Sequence, residues 1–336
     1  MQADLLNKLD QIEALLALDY GLAPSQLVFL PAGEDGLLYT FQSHGQRLIA
    51  KIVGFRTGVD GQMLERQLQV IDRLAQTAAF DFVVSPLPKL AGGFVGRLAE
   101  YCLVIYPFVE GVLQRDSQTT SRQLNELGTL IGQLHALDPA QYPALAAQVF
   151  STAEAERLTA IFSQLPKFAG HANLKPVYDL LAPWEQRLRR DVEQCVQLGE
   201  SLRRANHPQV ITHGDLSPGN IIFTPGGQIK IIDWEGIQLG LPEQDVNMFS
   251  DIRHLPHFLA TYLKVNKRSL QLDALIFFNL TFVLEGVVQR VELLQEEALN
   301  EVQRQHELDE LAAELHGHQW FDVGVEQIRE ILKRFD

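Results

Sequence analysis

Three oxygen-bearing side chains crowd one short stretch of this chain. The segment Ile211-Thr212-His213-Gly214-Asp215-Leu216-Ser217-Pro218-Gly219-Asn220 runs from an apolar start into a polar loop, and Ile221-Ile222-Phe223 follows it. A second apolar run, Ile229-Lys230-Ile231-Ile232, ends in Asp233-Trp234-Glu235. Between the two runs, Thr224-Pro225-Gly226-Gly227 is a hairpin signal. Such a hairpin holds Asp215 and Asn220 in a loop and projects the Asp233 carboxylate from a rigid strand end. A base and two oxygen donors then lie within one hairpin's reach. Magnesium takes hard oxygen ligands of this kind and keeps part of its shell for water and substrate phosphates. Phosphoryl transfer needs the same set, a metal on the phosphates and a carboxylate near the attacking hydroxyl. The plain alternative is a group of solvated turn carboxylates. Their joint order between apolar runs argues against it.

Other elements must position this hairpin. Over the first hundred residues, short β-prone runs at 27–31, 37–42 and 47–53 are separated by polar or Gly-containing turns, with Ser43-His44-Gly45-Gln46 as a hairpin signal. Leu64, Leu68, Ile71 and Leu74 give helical spacing from 61 to about 78. Strand candidates follow at 94–98 and 101–106. After Gly111 the pattern turns helical, over 121–137, 152–164 and 177–204, with Pro183 expected to kink or restart the third. Helices resume at Glu243 and run to the end. The expected fold class is α+β, a small β-rich N-terminal lobe and a larger helical C-terminal lobe, divided as 1–107 and 108–336.

His213-Gly214-Asp215-Leu216 with Asn220, followed by Ile232-Asp233-Trp234-Glu235, resembles the aminoglycoside phosphotransferase and choline kinase family. That resemblance implies a protein-kinase-like two-lobe fold, with Gly in place of the Arg of the protein-kinase catalytic loop and Asp-Trp in place of the start of Asp-Phe-Gly. It implies ATP and Mg2+ as cofactors. Asp215 would be the catalytic base, Asn220 and Asp233 the magnesium ligands, and His213 a structural residue of the loop. Asp245, in Pro242-Glu243-Gln244-Asp245, would anchor that loop. Lys51, alone in the apolar run Leu48-Ile49-Ala50-Lys51-Ile52, resembles the strand lysine that holds nucleotide phosphates, with Glu65 on the next helix as its ion-pair partner. The bland reading of Lys51 is an edge lysine whose head reaches water. Gly33 and Gly36 stand where the family has its nucleotide loop, though the glycine spacing departs from the protein-kinase pattern. The backbone around Tyr106 and Phe108 resembles the linker that hydrogen-bonds adenine.

Composition narrows the partners. The 336 residues are 46% hydrophobic, enough for a full core. Forty-two acidic against 28 basic residues leave a formal charge of −14, which disfavours nucleic acid and suits a cationic small molecule. Cys102 and Cys195 form no CxxC pair, so two reduced thiols are expected. The N-terminus lacks the basic start and apolar run of a secretory leader, and reads as an amphipathic helix with Leu5, Leu6, Leu9, Ile12 and Leu16 on one side. The apolar stretch 274–288 is interrupted by Asn279 and Glu285 and reads as a buried helix rather than a membrane span. The expected location is cytoplasmic. The expected function is transfer of the ATP γ-phosphoryl group to a hydroxyl of a small, cationic, aminoglycoside-like acceptor. Two alternatives stand beside it: a kinase for choline, homoserine or a sugar, and a nucleotide-binding regulatory protein without turnover.

Overall fold

The computed structural model describes residues 9–30, 36–54, 61–99, 101–296, 299–317 and 319–335. Gly33, Leu5 and Leu6 lie outside the described residues. The chain forms two compact units. One comprises Met1–Thr120, Leu137–Ala146 and Ile211–Leu239; the other comprises Ser121–Ala136, Ala147–Val210 and Gly240–Asp336. Contacts therefore group the 211–239 hairpin with the N-terminal sheet, whereas the division at 107 had placed it in the helical lobe.

The first unit is built on helix α1 (Leu9–Tyr20) and an antiparallel sheet of β1 (Val28–Leu30), β2 (Gly36–Ser43), β3 (Gln46–Gly54), β4 (Gly96–Leu98) and β5 (Tyr101–Pro107), in the order β1-β2-β3-β5-β4. Period-two alternation sets its buried face, with Leu37, Tyr39 and Phe41 of β2 and Leu48, Ala50 and Ile52 of β3 packed on Ile12, Leu16 and Tyr20. The β2–β3 turn has His44 at φ 50° and Gly45 at φ 77°, the pair of left-handed residues that a two-residue hairpin requires. In this register Lys51 lies opposite Leu38 on one side and Val104 on the other. Helix α2 (Gly61–Ala75) buries Leu64, Leu68, Ile71 and Leu74 as expected, and a 3-10 turn at Ala78–Phe80 ends the helical run. Beyond β5, strand β6 (Val112–Leu113) joins a second small sheet. After β7 (Val210–Thr212) come β8 (Ile221–Phe223) and β9 (Ile229–Ile231), and the order β6-β8-β9 is antiparallel throughout. Strand β10 (Gln238–Gly240) pairs with β7.

The second unit is helical: α3 (Ser121–His135), α4 (Ala153–Phe168), α5 (Lys175–Leu181), α6 (Glu185–Arg204), α7 (Glu243–Val246), α8 (Leu255–Val265), α9 (Leu272–Gln295), α10 (Glu301–Gly317) and α11 (Gln319–Lys333). Pro183 does restart the third predicted helix, because its ring removes an amide donor, and a 3-10 turn at Ala182–Trp184 separates α5 from α6. Helix α9 is long and apolar enough to cross a membrane, yet Leu280, Leu284, Val287, Val288 and Val291 are buried against residues of α4, α6 and α10, as a core helix requires. Helices α3 and α8 approach so closely that a Cβ on Gly128 would stand 2.2 Å from the Phe258 carbonyl oxygen.

A buried polar cluster ties α3 to α7 and α8. His135 Nδ1 meets the Tyr262 hydroxyl at 2.8 Å, and its Nε2 meets Asp245 Oδ2 at 3.0 Å. Asn266 Nδ2 donates to the same hydroxyl at 2.8 Å. The Nε2–H donates to the Asp245 carboxylate. Asp245 is thus an internal brace of the helical unit. Nearby, Glu243 accepts from the Gln271 amide at 2.7 Å. Burial raises its carboxyl to about 7, against the backbone hydrogen bonds that pull it down. A carboxyl raised above its unfolded value favours the fold below pH ~4.5, and that contribution is lost as pH rises through 7. A change of that size is worth on the order of 3 kcal/mol. Urea unfolding at pH 5 and pH 8 should show wild type losing about that much more stability than Glu243→Gln. Equal pH slopes would contradict the assignment.

Candidate active site

The loop between β7 and β8 is fixed to the segment after β9 by three local contacts. His213 is fully buried, 4.5 Å from the Trp234 ring. Its Nδ1 accepts from the Asp215 amide at 3.2 Å and its Nε2–H donates to the Ile232 carbonyl at 3.0 Å. The Ile232 amide in turn donates to the Asn220 carbonyl at 2.9 Å. Gly214 has φ 87°, and a Cβ there would lie 2.0 Å from the Gly236 carbonyl oxygen. Glycine in the His-Gly-Asp loop is therefore a steric necessity, since the backbone after Asp233 runs directly over it. Asp233 itself adopts φ 64°, uncommon for a non-glycine residue, where the chain turns from β9 into the 3-10 turn Trp234–Gly236.

This framework brings together the three residues singled out in the sequence. Asn220 Nδ2 donates to the Asp215 carbonyl at 2.8 Å and to Asp215 Oδ2 at 3.1 Å. Both acceptors take the amide nitrogen, so the carboxamide oxygen is left as the metal-capable atom of Asn220. The Asp233 carboxylate is partly open, at 38% exposure. Two hard oxygen donors from one hairpin fit magnesium chemically.

Lys51 reaches this cluster from the middle of β3. Its ammonium bonds Asp233 Oδ1 and lies 3.1 Å from Glu235 Oε1. Burial by itself lowers a lysine, but Glu235 and Asp233 outweigh it and hold Lys51 above its ordinary value. At Asp233 burial is likewise overcome by Lys51, and the carboxyl lies below its usual range. Glu235 is the opposite case: it is more deeply buried, beside the Asp233 charge, and is raised despite Lys51. Tyr106 Oη donates to Glu235 Oε1 at 2.9 Å.

The expected Lys51–Glu65 pair is not formed. Glu65 lies on α2, and its carboxylate accepts from the amides of Phe94 (3.1 and 3.0 Å) and Val95 (3.0 Å). Gly93, at φ 73°, makes room, for a Cβ there would stand 2.8 Å from Glu65 Oε1. Backbone amides thus satisfy Glu65, and Lys51 turns to the two nearer carboxylates. Sequence reasoning quoted Glu235 in its motif and gave it no role. Its spacing two residues after Asp233, in the middle of the 3-10 turn Trp234–Gly236, was the available signal.

The remaining predicted residues are spread along the sheet. Gly36 opens β2 opposite Val53. The Phe108 amide donates to the Arg47 carbonyl at 3.0 Å, with the Arg47 guanidinium 3.6 Å above its ring. The Ile105 carbonyl faces the other way and accepts from the Leu87 amide at 2.7 Å. By strand alternation the Pro107 carbonyl shares that outward direction. Gly111 passes over β8, where a Cβ would lie 2.5 Å from Ile222 Cγ2.

A five-stranded sheet carrying a largely buried lysine, paired to the aspartate of a following hairpin, defines a phosphotransferase with the protein-kinase-like two-lobe fold. Residues 26–273 match the model of the phosphotransferase enzyme family, APH, and the chain belongs to that family. It is thus a phosphotransferase enzyme. It is 27% identical over 255 residues to Protein StrN of Streptomyces griseus, covering 70% of this chain and 74% of StrN. Its fold is similar to spectinomycin phosphotransferase APH(9)-Ia, solved with ADP and spectinomycin (TM-score 0.74, 17% identity, 95% of this chain and 98% of the other). It is also similar to a microcompartment-associated aminopropanol kinase (TM-score 0.55, 17% identity, 91% and 95%).

The close approach at Gly214 yields a direct test. Gly227 also has positive φ, at 79°, but nothing lies within 4 Å of a Cβ there. Gly227→Ala should cost only the backbone term, about 1 kcal/mol. Gly214→Ala should cost a further ~1–3 kcal/mol for the clash. Urea midpoints separate the two, and equal losses would mean the Gly236 carbonyl moves aside freely.

Proposed function

We propose that the protein is an ATP- and magnesium-dependent kinase that phosphorylates a hydroxyl of a small cationic acceptor of the aminosugar type. The observation that carries this is the convergence of Lys51 on Asp233 beside the bonded pair Asp215–Asn220. The reading has Lys51 steady the nucleotide phosphates, as an ammonium can when two carboxylates keep it charged. Magnesium, when bound, would neutralise charge on the phosphates, with Asp233 and the Asn220 carboxamide oxygen as its protein ligands. Asp215 would orient the acceptor hydroxyl and take its proton late, its carboxylate aimed by the Asn220 amide. Positioning and charge neutralisation then supply most of the rate. The adenine would lie against the linker 106–108. The Pro107 carbonyl is its hydrogen-bond acceptor there, because the Phe108 amide is already engaged with Arg47. Gly36, with Gly33 before it, would border the phosphates. The division at 107 and 108 is kept as a functional one, nucleotide side and acceptor side, in a cytoplasmic enzyme.

The acceptor reading rests on the charge of −14 and on likeness to a spectinomycin phosphotransferase. Among the acids after Asp245, Asp251 and Glu292 are paired with Arg253 and Arg157, so their fields are locally cancelled. The runner-up acceptors are choline, homoserine or a sugar, a range that likeness to an aminopropanol kinase keeps open.

Three measurements check this account. Asp215→Asn should lower turnover by roughly 10²–10⁴ while nucleotide still binds; near-full activity would remove Asp215 as base. Asp233→Ala should abolish the magnesium dependence of nucleotide binding more completely than Asn220→Ala, since a carboxylate brings charge and an amide only a dipole. Equal metal dependence in wild type and Asp233→Ala would refute the ligand role. Aminosugar affinity should weaken as salt rises, because exposed charge attraction is screened. Efficient phosphorylation of neutral sugars with cationic ones ignored would overturn the acceptor class and leave the kinase reading intact.

A further inference from the structure

Lys51 has two carboxylate partners, and they differ in what else they can do. Asp233 is partly exposed, while Glu235 is at 16% exposure and receives the Tyr106 hydroxyl. The second Glu235 oxygen, Oε2, is buried, and the Glu235 carboxyl lies within hydrogen-bond reach of Asp233. A largely buried carboxylate with one oxygen shared by an ammonium and a phenol is held in place from two elements, β3 and β5. Tyr106 is itself fixed in β5, opposite Ile49 in the ladder with β3. The hydroxyl therefore lies on a rigid strand, two residues along β3 from Lys51.

We infer that Glu235, tethered by the Tyr106 hydroxyl, is the positioning residue for Lys51 in this enzyme, in the place that Glu65 was expected to fill. The inference rests on the kinase reading above. When Asp233 is engaged by a metal, its charge is shared with that metal. Glu235 is then the carboxylate that keeps the ammonium in register with the hairpin. Glu65 cannot take this part without giving up the Phe94 and Val95 amides, which would leave those donors unsatisfied. The Tyr106 side chain acquires a role that an adenine-linker residue, read through its backbone alone, does not have. It links the strand beneath the nucleotide base to the acid that orients the phosphate-binding lysine.

Double-mutant cycles on the full chain separate this arrangement from its rivals. The readouts are Mg·ATP affinity by calorimetry, KM for ATP against kcat, and thermal midpoint. Glu235→Gln and Tyr106→Phe keep shape and remove, respectively, the charge and the hydroxyl. We expect Glu235→Gln to weaken Mg·ATP binding about 10-fold and Tyr106→Phe about 3-fold, an order of magnitude typical of hydrogen bonds to charged groups. Both losses should appear mainly in KM, and both should largely vanish in a Lys51→Ala background. Glu65→Gln should instead add in full to Lys51→Ala. A Glu235→Gln penalty undiminished without Lys51, or coupling of Lys51 to Glu65 in its place, would overturn the inference. If wild type binds no Mg·ATP, the kinase reading falls. The thermal cycle then decides the tether alone, coupling between Lys51 and Glu235 supporting it and strict additivity ending it.

Discussion

The buried ammonium of Lys51 is the constraint on which the site depends. An ammonium out of water costs several kcal/mol unless it is paired and hydrogen-bonded. Here the first partner, Asp233, comes from 182 residues away in the chain, and Glu235 from just beyond it. The N-terminal sheet therefore cannot reach its lowest energy until the hairpin after residue 211 has docked beside it. Two carboxylates around one ammonium leave a net negative charge, and Glu235 answers part of that strain by holding its proton more tightly than an exposed glutamate does. Such a cluster is poor as a device for stability alone. It is better suited to receiving a divalent cation, whose charge offsets the excess of carboxylate.

Rigidity around this cluster comes from backbone packed on backbone. Gly214 lies under the Gly236 carbonyl, and Gly111 crosses β8 at a distance no side chain would allow. His213 closes the arrangement, with one ring nitrogen on Asp215 and the other on Ile232. Asp215, Asn220 and Asp233 consequently have little freedom to rearrange. Preorganised groups of this kind need no reorganisation at the moment of reaction, the principal way a phosphoryl-transfer site lowers its barrier. The helical unit has its own brace, the buried His135–Tyr262–Asp245 cluster, which fixes the segment following β10 by hydrogen bonds.

Much of this was legible in the sequence, for physical reasons. Alternation at 37–42 and 47–53 and the His44-Gly45 turn specify a hairpin by local rules, and β2 and β3 follow them. Helical spacing at Leu64, Leu68, Ile71 and Leu74 gives α2, and the proline at 183 gives the break between α5 and α6. The gathering of Asp215, Asn220 and Asp233 was legible because one hairpin contains all three. What escaped was the choice between acids at long range. Lys51 had Glu65 on the following helix, with Asp60 and Asp72 also near in sequence, but the two amides beyond Gly93 capture the Glu65 carboxylate, and spacing carries no sign of such a nest. The Tyr106 side chain escaped for a similar reason, since its hydroxyl partner lies 129 residues away. The grouping of the hairpin with the sheet in place of the helices follows from the same long-range contacts.

The central claim is that Asp233 and Asn220 form the metal seat of a nucleotide site steadied by Lys51. Crystals grown with Mn2+ and a non-hydrolysable ATP analogue test it most directly through anomalous scattering. The expected result is an anomalous peak in contact with an Asp233 carboxylate oxygen and the Asn220 carboxamide oxygen, with Lys51 turned from Asp233 toward the phosphates and still bonded to Glu235. A peak elsewhere, or Lys51 still locked on Asp233 with nucleotide bound, would contradict it.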